Sequence, residues 1–340
     1  MKKILITGGA GYIGSHTAVE LLKAGIEPII LDDLSNSNAE VLERLKEITG
    51  KSLTFYQGDC NDRSILDQIA KAHQIAGVIH FAAFKAVGES TELPLKYYQN
   101  NVGSLVTLLA FMAENKIPDL VFSSSCTVYG QPDVLPVTEA TPRKDAESPY
   151  GNTKKICEDI LVDYVKSKAG IRVIALRYFN PVGAHPSGKI GELPIGKPNN
   201  LVPFINQTAA GIREKLTIFG DDYDTVDGSC VRDFIHVMDL ADAHVKAFTY
   251  LNDKPADFYD VFNVGTGNGN TVLEVIHTFE KVNGVKLNYE IGPRRPGDVV
   301  KIWADTKKIN SVLGWIPSKT LEDSMRDSWN WEKSLTQSKG

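Results

Sequence analysis

Positive charge, cysteine and long apolar runs are all scarce in this 340-residue chain. The 37 Lys+Arg stand against 42 Asp+Glu, a net charge of -5. There is thus no broad positive field of the kind that non-specific phosphate-backbone binding needs, which excludes a nucleic-acid partner. Any anionic ligand has to be met by a few local groups. Cys60, Cys126, Cys157 and Cys230 lie singly, without a CxxC pair or a Cys/His cluster. That spacing excludes structural zinc and a disulfide framework and reads as free thiols in a reducing compartment. Met1-Lys2-Lys3 is followed by only four residues before Gly8, too short a run for a secretory signal or a membrane span. A cytoplasmic chain without a membrane partner is the expectation. Repeats and low-complexity tracts are lacking too, and 42% hydrophobic with 23% charged residues excludes disorder. The length allows one large α/β unit or two joined lobes.

What the sequence does contain is an alternation of short β-rich runs with longer helical patterns. Ile4-Leu5-Ile6, Ile29-Ile30-Leu31, Leu53–Tyr56, Val78–Phe81, Leu120–Phe122 and Val173–Leu176 are the strand candidates, a rhythm that predicts a parallel sheet. Ile13, Thr17, Leu21 and Leu22 give a helix with one apolar face, which Gly25 closes. Further helices are predicted over about 64–74, 95–115 and 150–168, with Ser148-Pro149 as cap and first residue of the last. The fold class is therefore α/β, a doubly wound parallel Rossmann sheet over 1–180. From 181 the texture turns loop-rich, predicting a smaller α/β lobe over 181–340, with the chain returning to the first sheet at about 236–264. Asp221, Asp222, Asp224 and Asp227 lack calcium-loop spacing and read as a solvated loop. No metal site is expected.

Gly8-Gly9-Ala10-Gly11-Tyr12-Ile13-Gly14 follows the first strand and opens the first helix. Glycines there let the backbone approach a pyrophosphate while the helix terminus offers free N–H groups. Asp32, at the end of the second strand, is placed to accept hydrogen bonds from an adenosine ribose and to repel a 2'-phosphate, so the expected cofactor is NAD. For Asp33 a turn role is expected. Tyr150 and Lys154 lie four apart at the start of a helix, on one face. A phenol whose ordinary pKa is ~10 becomes a useful base near neutrality when an ammonium favours phenolate. Ser123-Ser124-Ser125-Cys126-Thr127 closes the fifth strand, where one serine can bond a reacting oxygen; for Ser123 and Ser124 a local turn bond stands equally open. His80, at the end of the fourth strand, reads as a structural histidine, and Cys126 as a small buried filler, since no paired base for its thiol is evident.

Gly8-x-x-Gly11-x-x-Gly14, Ser125-x-Thr127-Val128-Tyr129-Gly130 and Tyr150-x-x-x-Lys154 resemble the extended short-chain dehydrogenase/reductase family. Lys85–Ser90, Arg177–Gly188 and Asp233–Ala241 are similar to its nucleotide-sugar 4-epimerases, and the resemblance runs from residue 4 to about Trp331. It implies NAD held by Gly8, Gly11, Tyr12, Ile13 and Gly14, by Asp32 with Asn36 and Ser37, and by Asp59 and Cys60 beside adenine. Phe81, Ala82, Ala83, Lys85, Asn100, Ser125, Tyr150, Lys154 and Phe179 complete that pocket. Asn180, Asn200, Leu201, Thr217, Ile218, Phe219, Arg232, Arg295, Asp298 and Ile302 are the implied UDP-sugar positions, with Ser125 and Tyr150 at the sugar itself. Arginine suits a pyrophosphate because its fork makes paired bonds to phosphate oxygens; without the resemblance Arg232 and Arg295 read as surface charges. The implied chemistry interconverts UDP-glucose and UDP-galactose, with Tyr150, Lys154 and Ser125 catalytic. A homodimer is implied as well.

Two departures matter. The related 4,6-dehydratases resemble Thr-Asp-Glu where this chain has Ser125-Cys126-Thr127, so the acid and base that elimination needs are missing. Ile302 stands where similar enzymes restricted to simple hexoses carry Tyr and those accepting N-acetyl sugars carry Cys or Ser. Activity on UDP-GlcNAc and UDP-GalNAc therefore stays open. A non-catalytic NAD-sensing protein is the alternative of another class; it would keep the glycine loop and dispense with Tyr150 and Lys154.

Overall fold

The computed structural model describes residues 1–295 and 298–337. β1 (Lys3–Thr7), α1 (Tyr12–Lys23), β2 (Glu27–Asp32), α2 (Glu40–Thr49), β3 (Thr54–Gln57), α3 (Arg63–Ala72) and β4 (Ile75–His80) alternate first. They are followed by α4 (Val87–Glu92), α5 (Pro94–Tyr97), α6 (Gly103–Glu114), β5 (Asp119–Ser125), α7 (Pro149–Lys166) and β6 (Arg172–Tyr178). The remainder is β7 (Asn180–Val182), α8 (Leu201–Ala209), β8 (Leu216–Phe219), β9 (Val231–Arg232), β10 (Phe234–His236), α9 (Val237–Leu251) and β11 (Phe258–Val264). The chain then forms β12 (Asn270–Thr271), α10 (Val272–Asn283), β13 (Tyr289–Gly292), β14 (Lys301–Ile302), α11 (Lys307–Leu313) and α12 (Leu321–Gln337).

Seven parallel strands form the main sheet in the order β3-β2-β1-β4-β5-β6-β11. The order reverses between β1 and β4, and at such a switch point the loops diverge and leave a crevice beyond the carboxyl ends of the strands. Alternation along each strand fills both faces. Ile4, Ile6, Ile30, Ile79, Val121 and Ile174 pack under α1 and α9, while Leu5, Ile29, Val78, Leu120 and Val173 pack under α3, α6 and α7. The six-strand Rossmann sheet expected from the alternation is present, and β11 extends it beyond β6. α2 was not read from the sequence, although Val41, Leu42 and Leu45 give it an apolar stripe.

The helix expected over 95–115 is present as one continuous run, but it is not uniform. Between α5 and α6 the backbone makes one π turn, Tyr98–Val102. This turn aims the Asn101 amide inward, where it donates to Phe84 O (3.0 Å) and Thr153 Oγ1 (3.1 Å) and accepts from Phe84 N (2.9 Å). An extra residue in a helical turn is a common device for re-aiming a side chain at a site.

A separate apolar cluster, with Val202, Ile205, Leu216, Ile218, Phe234, Ile276, Phe279 and Met325, organises the later segments. β8 pairs with β13, β7 with β10, and β9 lies between β12 and β14. α10 opens on a reciprocal cap, Thr271 with Glu274. A small fourth cluster joins the β5 exit to this region: Val128, Tyr129, Val137, Phe179, Ile302 and Ala304. Among the described residues no helix is long and apolar enough to cross a membrane.

Candidate active site

The glycine loop packs backbone against backbone. A Cβ on Gly8, whose φ is +70°, would stand 2.8 Å from Ala82 N, and one on Gly14 would stand 2.7 Å from Gly9 Cα. The start of α1 therefore sits directly on the loop. Its N-cap, Gly11, brings no side-chain bond to the first turn, so the N–H groups there stay available to an anion. The cradle is what a pyrophosphate needs. Asp32 is buried at the end of β2 and fixes the next loop: it accepts from Ala10 N (3.0 Å), Leu34 N (3.0 Å) and Ser37 Oγ (2.7 Å). A carboxylate has about four acceptor sites, so one remains for a ribose hydroxyl. Asn36 lies in the same loop. Asp33 accepts from Ser35 N and Ser35 Oγ, a turn role.

Phe81 N and Ala82 N both donate to Thr7 O (3.0 and 3.1 Å), which carries Phe81, Ala82 and Ala83 across the mouth of the glycine loop. Asp59 accepts from Asn61 N and Nδ2, and the same amide reaches Asn100 Oδ1 at 3.3 Å. Asn61 thus links two expected pocket residues, though nothing in its spacing marked it beforehand. Cys60 is buried next to them, its thiol pushed up to about 12 by burial.

β5 and α7 meet at the carboxyl end of the sheet. Ser148 caps α7 by accepting from Gly151 N at 3.2 Å. Tyr150 and Lys154 follow within its first two turns. The phenol is pushed up to about 12 by burial, against which the neighbouring Ser125 hydroxyl acts. The Lys154 ammonium donates to Ser123 O at 2.6 Å and lies 5.1 Å from the Phe122 ring centroid; burial lowers its pKa to about 8. The i, i+4 spacing places both groups on one face, yet the ammonium is held by the strand end. In this arrangement burial rules the phenol. Ser123 Oγ hydrogen-bonds Tyr178 OH and Ser124 Oγ donates to Glu158 Oε1 at 2.5 Å, so neither is a local turn bond. His80, pushed down to about 3 by burial, shares a hydrogen bond with Thr7 Oγ1. Cys126, pushed up to about 12 by burial, is an inert thiol.

The other expected ligand positions approach from the later segments. Asn180 N donates to Asp233 O, and Phe179 is buried beside Ile302. β14 pairs Ile302 with Arg232 on β9. Arg232 lies close enough to pull down the Cys126 thiol, so this edge faces the β5 exit. Asp298 accepts from Arg295 in a two-pronged bond (2.6 and 3.1 Å) and lies 3.6 Å from Arg232. The Arg295 guanidinium sits 5.5 Å from the Phe219 ring centroid. Leu201 opens α8, and Thr217 and Ile218 lie beside Phe219 on β8, Thr217 toward Glu290. Glu192 was missed: its Oε1 accepts from Lys85 (3.1 Å) and Asn200 (2.7 Å), joining an expected cofactor residue to an expected substrate residue. Asp233 was missed as well. Fully buried, it accepts from Thr266, Gly267 and Ala304 backbone N–H groups and so ties two separate segments together behind Arg232. Among the described residues no metal-holding cluster is present.

Fold and site together define an extended short-chain dehydrogenase/reductase. Residues 5–328 match the family model described as GDP-mannose 4,6 dehydratase. The UDP-glucose 4-epimerase of Bacillus subtilis is 52% identical over 332 residues, 97% of each chain. A structure of the Stenotrophomonas maltophila UDP-glucose 4-epimerase, with bound NAD and formylated UDP-arabinopyranose, superposes with a TM-score of 0.96 at 45% identity, covering 99% of this chain and 100% of that one. The Bifidobacterium longum enzyme, in complex with NAD+ and UDP, gives 0.94 at 44% identity, with 98% and 99% covered. The chain belongs to the UDP-glucose 4-epimerase family.

Proposed function

We propose that this chain interconverts UDP-glucose and UDP-galactose by transient oxidation at C4, with NAD as its cofactor. The observation that carries this reading is that Ser125, Tyr150 and Lys154 gather at the carboxyl end of β5, two strands from β1 and its glycine loop in the same sheet, with a strand-end triplet, Ser125-Cys126-Thr127, that has no carboxyl group. The family model is named for a dehydratase, but elimination needs an acid and a base beyond the tyrosine. The buried carboxylate near this strand end, Glu158, is already held by Arg177. Epimerisation is what the remaining groups support.

The residues fit NAD. Backbone packs this closely at the cradle only because Gly8 and Gly14 lack Cβ atoms, the helix terminus there offers free N–H groups to a pyrophosphate, and Asp32 keeps an acceptor for a ribose hydroxyl. Tyr12, Ile13, Asn36, Ser37, Asp59, Cys60, Phe81, Ala82, Ala83, Lys85, Asn100, Lys154 and Phe179 would complete its pocket. Bound there, NAD would supply the hydride acceptor for oxidation at C4 and the hydride donor for its reduction. Tyr150 moves the proton at the sugar 4-oxygen, first as base and then as acid, and Ser125 aligns that oxygen. Arg232 and Arg295 anchor the UDP diphosphate, with Asn180, Asn200, Leu201, Thr217, Ile218, Phe219 and Asp298 around them. A tethered sugar can then present either face of C4 to one fixed set of groups, which is catalysis by proximity.

The reading places the protein in the cytosol, in keeping with its unpaired cysteines. It also makes the protein a homodimer, in keeping with the exposed Val87, Leu93, Leu95 and Val106; light scattering at micromolar concentration tests this. Activity is tested by a coupled assay of UDP-galactose conversion. Absence of turnover by pure protein holding NAD would overturn the epimerase reading in favour of a sensing role.

A further inference from the structure

α7 grips the end of β5 at three successive serines, using residues spaced four apart along one helical face. The Tyr150 phenol meets the Ser125 hydroxyl, the Lys154 ammonium meets the Ser123 carbonyl, and the Glu158 carboxylate meets the Ser124 hydroxyl. The first two contacts belong to the chemistry proposed above. The third belongs to neither substrate nor cofactor, and it is the most heavily braced. Glu158 is paired through both oxygens with Arg177 of β6 (2.9 and 2.6 Å), and both side chains are nearly wholly buried. Arg143 approaches the same carboxylate at 3.3 Å. Arg177 passes the connection on to Tyr129 OH (3.0 Å), which donates to Asn263 Oδ1 at 2.6 Å on β11.

Resting on the epimerase reading, we infer that Ser124 and Glu158 are positioning residues: their bond sets the register of α7 against β5 and thereby the alignment of Tyr150 with Ser125 and of Lys154 with Ser123. A charge-assisted bond inside a satisfied network is stiff, and a base displaced by about an ångström from its productive place loses rate steeply. Glu158 has a second effect. Among the described residues the titratable groups facing Lys154 are Tyr150, Cys157 and Glu158 on its own helix and His80 on β4, while β5 presents the Ser123 carbonyl and the Phe122 ring; the Tyr150 phenol, pushed up to about 12, is neutral near pH 7. The Cys157 thiol is pushed up to about 12 and His80 down to about 3, so both are neutral near pH 7. Glu158 is then the charge that opposes the loss of the Lys154 proton.

The test compares the NAD-loaded wild type with Ser124→Ala, Glu158→Gln and the double variant, reading kcat, KM for UDP-galactose, the pH profile of kcat and Tm. Ser124→Ala, a small change that spares the ion pair, is expected to lower kcat about tenfold or more with KM within about twofold. Glu158→Gln is expected to lower kcat further and to move the alkaline limb of kcat to lower pH. The double variant is expected to be no slower than Glu158→Gln, because the two side chains act through one bond. If the wild type turns over while the variants lose Tm alone, with kcat and pH profile unchanged, the inference is overturned. Should Glu158→Gln fail to fold, Ser124→Ala decides by itself. A wild type without turnover sinks the epimerase reading and this inference together.

Discussion

Gly14→Ala isolates what the glycine cradle contributes. Inside a helix alanine is favoured over glycine by about 1 kcal/mol, so propensity alone would stabilise the variant. The new Cβ, however, would stand 2.7 Å from Gly9 Cα and closer still to the Gly8 carbonyl oxygen. That is roughly an ångström inside the ordinary carbon contact of ~3.5–4.0 Å. Both neighbours are backbone, so no rotamer can yield and the start of α1 must back away from the loop. Overpacking of this kind costs about 1–3 kcal/mol, leaving a net loss of stability of up to about 2 kcal/mol after the propensity gain. The larger effect falls on the anion site. Moving the helix terminus by about an ångström lengthens hydrogen bonds to a charged group worth ~1.5–3 kcal/mol each, a loss of about ten- to a hundredfold in NAD affinity. Gly25→Ala is the control. Its φ is +74° and nothing lies within 4 Å of the added atom, so it should cost about 1 kcal/mol of strain and leave NAD affinity unchanged. Thermal melts and calorimetric NAD titrations of both variants separate the two effects. Equal NAD affinity in Gly14→Ala and wild type, or an equal loss in Gly25→Ala, would refute the claim that backbone approach builds the site.

Tyr150→Phe should keep the wild-type Tm and NAD content while kcat falls at least about a hundredfold, the ordinary worth of a general base; an unchanged kcat removes Tyr150 from its role. Ile302 is buried in one apolar cluster with Phe179, so Ile302→Tyr should lower kcat/KM for UDP-GalNAc by about tenfold relative to UDP-galactose, through lost room. An unchanged ratio would show that position 302 does not gate the N-acetyl group. His80 is held neutral down to about pH 3 by burial. Between that value and its ordinary pKa of ~6.5 the unfolded chain binds a proton that the folded one does not, so stability falls as pH drops through this window. His80→Asn should flatten the dependence of unfolding free energy on pH between 6 and 4 by roughly one proton, and urea titrations showing the wild-type slope would refute this.

The parts of the site that were legible in the sequence are those whose partners lie close along the chain. The glycine run, the strand-end position of Asp32 and the four-residue spacing of Tyr150 and Lys154 each lie within one strand, turn or helix, so spacing alone reports them, though not that Asp32 holds Ala10 N or that Lys154 donates to Ser123 O. Glu192, Asp233 and Glu158 were not legible. Each is an ordinary acid in the sequence, and its significance comes from partners brought together by tertiary packing: Lys85 with Asn200, Thr266 with Ala304, Ser124 with Arg177. The π turn at Tyr98–Val102 leaves no residue signature either, because it is imposed by the buried bonds of Asn101. For Ser123 and Ser124, local chemistry left a turn role open, and only the neighbouring strand and helix decide against it.

The arrangement of Tyr150 and Lys154 sharpens what a tyrosine–lysine pair accomplishes on its own. Spacing promises an ammonium beside a phenol. Here the phenol stands at about 12, raised by burial, with Ser125 rather than Lys154 acting to lower it. Lys154, brought down to about 8 by burial, uses its donor on a backbone carbonyl. The protein alone therefore holds a weak acid where a base is required. Further positive charge in the crevice would bring the phenol's pKa down toward neutral pH. It follows that base strength in this site is conditional on occupancy of the crevice. A net charge of -5 makes that condition stricter: nothing in the overall field favours phenolate, and the cations within reach are the few that the strand ends and β9 place there.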